Sequence, residues 1–226
     1  MSSPVLDRSL GDLARSIPGA TALFHAHQLD FCCGGKKNLR EALPGAAGEQ
    51  LARQLEGLQH DGGAGRDWRT ATADELIAYI QLRFHERHRQ QLPELARLAR
   101  RVETVHADRP ECPHGLADHL DAMTQELESH MQKEEQVLFP MLQRGVAPQG
   151  LPPVTVMRFE HDQHGEALAR MVALAHGLEQ PRGACNTWRA LLAGLRTLRE
   201  DLMEHIHLEN NILFEGLNAP PSMARA

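Results

Sequence analysis

Apolar residues recur at helical spacing through most of the chain beyond residue 70. Leu76, Ile80, Phe84, Leu95 and Leu98 form one set, Leu116, Leu120, Met123, Leu127, Leu138 and Met141 a second, and Leu195, Leu198, Leu202 and Leu213 a third. At about 100° per residue each set falls on one stripe, the signature of a helix with one face against a core. Breakers set the limits. Thr72-Ala73-Asp74-Glu75 has the spacing of a capping box and opens a first long helix that runs to about Val105. Pro110 and Pro113-His114-Gly115 interrupt the chain before a second helix, which reaches Gln143. Pro152-Pro153 suit the first turn of a third, ending near Gly177 and Pro181, and a fourth spans Asn186 to Leu217 before Pro220-Pro221. Period-two alternation is absent and aromatic residues make up only 4% of the chain, so strands are not expected. The pattern predicts an all-α protein whose residues 71–217 form an antiparallel up-and-down four-helix bundle.

Residues 1–60 read as a small helical domain, broken by Pro18-Gly19, by Cys33-Gly34-Gly35 and by Pro44-Gly45. A linker spans 61–70, beginning with Asp61-Gly62-Gly63-Ala64-Gly65, and residues 218–226 form a tail. Ordering so many glycines is entropically costly, so the small domain is expected to move relative to the bundle.

Composition narrows the class of partner. The formal charge is -6 and the basic residues are interspersed with acids, so no basic face is laid out for a phosphate backbone and nucleic acid is not an expected partner. No apolar run approaches the roughly 18 residues that span a bilayer, and Met1 to Leu10 lacks the features of a leader. A cytoplasmic protein without a membrane partner is expected. Four cysteines in 226 residues do not make a disulfide scaffold. Fourteen histidines are a surplus; His25, His27, His60 and His176 read as ordinary surface positions, and Cys112 and Cys185 as structural.

The chemistry is carried by an internal repeat. Leu127, His130, Glu134, Leu138, Phe139 and Leu142 match Leu202, His205, Glu209, Leu213, Phe214 and Leu217 at one constant offset, and His85 and His88 are echoed by His161 and His164. His130 and Glu134 fall inside the apolar stripe of their helix, as do His205 and Glu209. A carboxylate facing a core without a partner is prohibitively costly, so a positive charge is required there. His and Glu four residues apart share a helix face and suit shared metal coordination. With a histidine from each of the other two helices, four imidazoles and two carboxylates converge. That donor set exceeds what one ion uses, disfavours calcium and magnesium, and lacks the thiolates of structural zinc; a dinuclear iron site fits best, with manganese or zinc behind it. The wheel prefers His88 to His85 in the first helix and leaves His161 and His164 undecided in the third.

Leu29-Asp30-Phe31-Cys32-Cys33-Gly34-Gly35-Lys36 joins two thiols to two glycines in a helix-ending loop. Cys32 and Cys33 read as candidate catalytic or metal-handling thiols, with Lys36 and Lys37 available to stabilise thiolates. Together with Leu10 to Ser16, His85 to Leu95, His130-Met131-Gln132-Lys133-Glu134-Glu135, Glu160-His161-Asp162 and His205 to Phe214, this loop resembles the iron-sulfur cluster repair family, also called repair of iron centres. Its members join an ScdA-type N-terminal domain to a haemerythrin-like di-iron domain. The resemblance implies restoration of iron-sulfur clusters damaged by nitric oxide or oxidants, with damaged iron-sulfur proteins as partners. Nitric oxide reduction, or reversible binding or sensing of oxygen or nitric oxide, are the competing activities, so enzymatic turnover is left open. It implies His85, His130, Glu134, His161, His205 and Glu209 as ligands of two iron ions in an oxo- or hydroxo-bridged non-haem centre. His88 and His164 then become supporting residues. Oligomeric state stays open, a homodimer included.

Overall fold

The structure, a computed structural model, describes residues 4–60 and 66–217. The regular elements among the described residues are all helical, with a single β-bridge between Ser9 and Asn38 and no strand. The N-terminal unit contains α1 (Leu10–Ser16), α2 (Ala20–Ala26), α3 (Leu39–Ala42) and α4 (Ala46–His60). Its helices begin where side chains satisfy free amides: Ser9 caps α1 through the amide of Asp12, and Asn38 and Glu41 form a capping box on α3.

Four long rods make up the remainder. The first is α5 (Ala73–Ile80), a π-helical turn at Gln81–His85, and α6 (Glu86–Val105). The expected capping box is present, Thr72 accepting from the amide of Glu75 while Glu75 accepts from that of Thr72. The second rod is α7 (Leu116–Lys133), a π-turn at Glu134–Leu138 and α8 (Phe139–Gln143). The third is α9 (Pro152–Leu174), and the fourth is α10 (Asn186–Leu208) with a π-turn at Glu209–Leu213. α6 packs against α7 and α10, and α9 against α7 and α10, closing the up-and-down ring.

The bundle core is two apolar clusters with a polar layer between them. Leu76, Ile80, Phe84, Leu138, Leu142, Met157 and Leu213 belong to one, and Leu95, Leu120, Leu127, Leu168, Leu195 and Leu202 to the other. In every rod the buried histidines and glutamates stand at the changeover, so the hydrophobic layers on either side exclude water from them.

The larger cluster also runs into the N-terminal unit, where Leu13, Ile17, Phe24, Phe31, Leu39, Leu51 and Leu55 are buried with it. The Asp61-Gly62-Gly63-Ala64-Gly65 stretch and the 218–226 tail lie outside the described residues. In the structure the unit sits against the bundle: Asn211 Nδ2 donates to the carbonyl of Phe31 and the Phe31 ring meets His207 edge-on. Apolar burial, which glycine content does not report, holds the unit on the bundle.

The paired glycines have a packing reason. A Cβ on Gly35 would lie 2.5 Å from the Phe31 carbonyl oxygen and 3.2 Å from the Gly11 backbone, whose amide donates to Gly35 O. Gly35→Ala is expected to destabilise the chain by about 1–3 kcal/mol, the usual cost of overpacking. Urea unfolding of the two proteins measures it; equal midpoints would mean that the loop shifts freely.

Candidate metal centre

The buried polar layer brings six side chains together. His85, Glu134, His205 and Glu209 form one group of converging donor atoms and His130, Glu134, His161 and Glu209 another, so both glutamates are common to the two. Glu134 turns one oxygen to His85 Nε2 at 3.5 Å and the other to His130 Nε2 at 3.4 Å. Glu209 does the same for His205 and His161, each at 3.1 Å. All six are essentially inaccessible to solvent.

The second ring nitrogens explain why the first ones are free. His85 Nδ1 donates to Glu135 at 2.7 Å, His130 Nδ1 to Glu160 at 2.9 Å and His161 Nδ1 to Asn210 Oδ1 at 2.9 Å. These acceptors keep the ring proton on Nδ1 and leave Nε2 as a bare lone pair. The Nε2 atoms face each other across the layer: His85 and His205 approach at 3.1 Å, and so do His130 and His161. Neither oxygen of Glu134 has a hydrogen-bond partner, and Glu209 Oε2 has none. Lone pairs and carboxylates converging in a dry layer repel one another unless cations lie between them, and imidazole with carboxylate is a donor set suited to iron. The residues therefore fit bound iron.

The electrostatics of the layer agree. Burial, and then the facing Glu209, pushes the Glu134 carboxyl well above its ordinary range. Burial pulls Glu209 the same way, but His205 and His161 outweigh it and hold Glu209 well below. Burial, followed by His205, lowers His85 to about 2, and burial lowers His130 to about 4 against the pull of Glu160.

The sequence repeat reappears as symmetry of the site. Glu135 and Asn210, each the residue after a shared glutamate, hold the rings of His85 and His161. Phe139 and Phe214, also equivalent in the repeat, stack on the same two rings with centroids 5.7 and 5.9 Å away. The other half departs from symmetry: Glu160 holds His130, whereas His205 stacks on Phe84 and its Nδ1 is unpartnered. Glu135, Glu160 and Asn210 escaped the reading of the sequence, although the position of Glu135 and Asn210 within the repeat was a usable signal.

The wheel's preference for His88 is corrected. Both His85 and His88 are buried, but only His85 joins the converging donors; the π-turn at Gln81–His85 inserts an extra residue that rotates the rest of the rod by about 100° relative to a constant helical period. His88 is buried 5.4 Å from the His205 ring and His164 4.7 Å from the His130 ring, but neither joins the converging donors. His25 is also not a plain surface residue: it is half-buried against Phe31, and burial lowers it to about 4.

The thiol loop touches this layer. Cys33 Sγ donates to the carbonyl of His161 at 3.2 Å, and Asn210, while accepting from His161, donates through Nδ2 to the carbonyl of Cys32. The expected stabilisation of a Cys32 thiolate by lysine is reversed. The adjacent Cys33 thiol, then burial, raises Cys32 well above the ordinary thiol range, and Lys36 and Lys37 point into solvent. Cys112 is buried and Cys185 half-buried, with His106 Nε2 at 3.2 Å from the Cys185 sulfur.

Four antiparallel helices around a buried layer of histidines and shared carboxylates define a haemerythrin-type metal-binding bundle. The family described as hemerythrin HHE cation binding domain matches residues 76–217, and a domain of unknown function, DUF542, matches residues 6–59. The chain is 51% identical over 214 residues to the iron-sulfur cluster repair protein YtfE of Pectobacterium carotovorum subsp. carotovorum (strain PC1), covering 92% of this chain and 95% of that protein. It is 50% identical to the proteins of the same name from Pectobacterium atrosepticum and Yersinia pseudotuberculosis, with the same coverage. The chain belongs to this haemerythrin-domain family of iron-sulfur cluster repair proteins, and that membership implies an iron-binding bundle. No helix among the described residues is long and apolar enough to cross a membrane.

Proposed function

We propose that the chain is a di-iron protein that restores iron-sulfur clusters damaged by nitric oxide or oxidants, and that it does so by supplying iron. The observation that carries this reading is the pair of donor groups sharing Glu134 and Glu209, in a chain about half identical to proteins named for cluster repair. On this reading His85, His205, His130 and His161 would hold the iron together with Glu134 and Glu209, the two carboxylates common to both donor groups. Glu135, Glu160 and Asn210 fix the imidazole orientation. Iron bound here supplies two adjacent redox-active cations in a dry layer.

A cavity of about 650 Å³ between α7 and α9, lined by Lys133, Glu160, His164, Glu126 and Glu166, reaches the residue that holds His130. Its carboxylates suit passage of a cation between solvent and the buried layer. The partners are proteins carrying damaged iron-sulfur clusters. The N-terminal unit, residues 1–60 in this reading, presents Cys32 and Cys33 at the bundle without contributing a ligand to the six. Thiols are superfluous to plain oxygen carriage, so their presence beside the layer favours repair over a carrier.

Iron analysis and a transfer assay test the proposal together. The iron-loaded full-length chain is expected to hold two irons and to reactivate a dehydratase whose cluster has been damaged by peroxide or nitric oxide. Iron is expected to move from one protein to the other. Reactivation no better than with the same concentration of free ferrous ion would overturn supply as the activity. Catalytic conversion of nitric oxide to nitrous oxide without iron transfer would assign the chain to reductase chemistry instead.

A further inference from the structure

The Cys32–Cys33 loop is arranged as a metal site in its own right. Cys32 Sγ lies 3.6 Å from Cys33 Sγ and 3.4 Å from Asp30 Oδ1, and donor atoms of all three residues converge. With metal-sulfur bonds of about 2.3 Å and metal-oxygen bonds of about 2.1 Å, tetrahedral edges are about 3.8 Å between sulfurs and about 3.6 Å between sulfur and oxygen. The observed separations are within a few tenths of an ångström of those edges.

The loop is held in that shape by the residue that completes the set. Asp30 Oδ1 accepts from the amides of Cys32 and Cys33, and Oδ2 accepts from that of Gly34. The alternative uses of two neighbouring thiols fit less well. A disulfide between adjacent residues is strained. A nucleophile needs a thiolate, and Cys32 is held protonated by its neighbour and by burial. A cation removes both difficulties, because it displaces the two protons and accepts both sulfurs at their present spacing.

We propose that Asp30, Cys32 and Cys33 bind a thiophilic divalent transition cation, separate from the six-residue layer, with its fourth coordination position open to the neighbouring cavity. That cavity, of about 350 Å³, is lined by Asp30, Cys32, Gln28, Met203, Arg199 and Gly165 among others. Two thiols and one carboxylate take up the ion with release of two protons, leaving a complex of net charge minus one. Arg199 on the cavity wall offsets that charge. Thiolates select borderline and soft ions such as ferrous, cobalt or zinc over magnesium and calcium. An open fourth position is what a site needs to pass its ion to an incoming thiol or sulfide.

The site does not depend on the proposed repair activity, and its donors give it a spectroscopic signature that the nitrogen and oxygen layer lacks. The iron-loaded full-length chain, kept reduced by a phosphine, is titrated anaerobically with cobalt(II). A thiolate-to-cobalt charge-transfer band in the near ultraviolet is expected, saturating at one cobalt per chain with release of two protons and retention of iron. Cys32→Ser and Cys33→Ser should each abolish the band. Asp30→Asn, which keeps an oxygen for the two cysteine amides, should weaken binding at least tenfold, a loss of the size seen for partners of metal ligands. Cys112→Ser with Cys185→Ser should leave the band intact. Cobalt-edge X-ray absorption on the unaltered chain is independent of how well the variants fold, and two sulfurs near about 2.3 Å are expected. Absence of the band, its survival in folded serine variants, or a shell of nitrogen and oxygen only would overturn the site.

Discussion

Glu134→Ala is expected to reduce firmly held iron from two ions per chain to one or none. Glu134, like Glu209, turns its two oxygens to histidines of different donor groups, at 3.5 Å from His85 and 3.4 Å from His130. Its removal opens both donor groups and takes away one of only two negative charges that balance the cations in a dry layer. The iron-loaded variant should melt well below the iron-loaded parent, because ligand binding stabilises only in proportion to the affinity that remains. The metal-free variant should behave differently. The Glu134 carboxyl is fully buried without a hydrogen-bond partner, so deleting it relieves a desolvation penalty that offsets the cavity left behind. Iron analysis and paired melting curves, with and without metal, separate the two effects. Glu209→Ala serves as the symmetry partner, and retention of two irons by both variants would dispose of the shared-ligand assignment.

The metal-free chain is expected to unfold cooperatively as the pH falls from about 6 to about 4. Burial is the leading cause that lowers His85 to about 2, His130 to about 4, His164 to about 3 and His207 to about 3, and it takes His88 well below its ordinary range. Each is neutral in the folded chain, while the unfolded chain takes up a proton on each near the ordinary value of 6.5. The unfolded state therefore binds more protons in this window. Stability is complete above about pH 6.5 and is lost as the pH drops toward the folded-state values, by as much as about 1.4 kcal/mol per pH unit for each group. Several such groups together match the roughly 5–15 kcal/mol that holds a domain folded. Glu134 opposes them in part: its raised folded-state value favours the folded chain as the pH falls. Iron competes with protons for the same nitrogens, so the loaded protein should hold its structure to lower pH and then lose metal and fold together. Far-ultraviolet circular dichroism against pH for both forms checks this, and a metal-free chain still folded at about pH 3.5 would refute it.

How much of this was legible beforehand varies from residue to residue. The four rods could be read because a one-sided apolar stripe has only one way to be buried, and because Thr72, Pro113, Pro152 and Asn186 mark where helical hydrogen bonding starts or cannot continue. The pairing of His130 with Glu134 and of His205 with Glu209 could be read because the repeat places each pair inside an apolar stripe, where charge demands a counter-charge. Identifying His85 from periodicity failed because the π-turn is a departure from regular hydrogen bonding that leaves no trace in hydrophobic spacing.

The sequence alone therefore determined the helical class, the limits of the long rods, and the residue types that meet in the core, since these depend on local periodicity and on the cost of burying charge. Tertiary structure decided what depends on phase and on distance between segments remote in the chain. It chose His85 and His161 over His88 and His164 for the convergent layer. It gave Glu135, Glu160 and Asn210 to the outer nitrogens of three rings. It seated the N-terminal unit on the bundle, with Cys33 against the His161 carbonyl across 128 positions of chain. The physical reason is that a hydrogen bond depends on where two groups stand in space, and chain spacing encodes that only within one regular element.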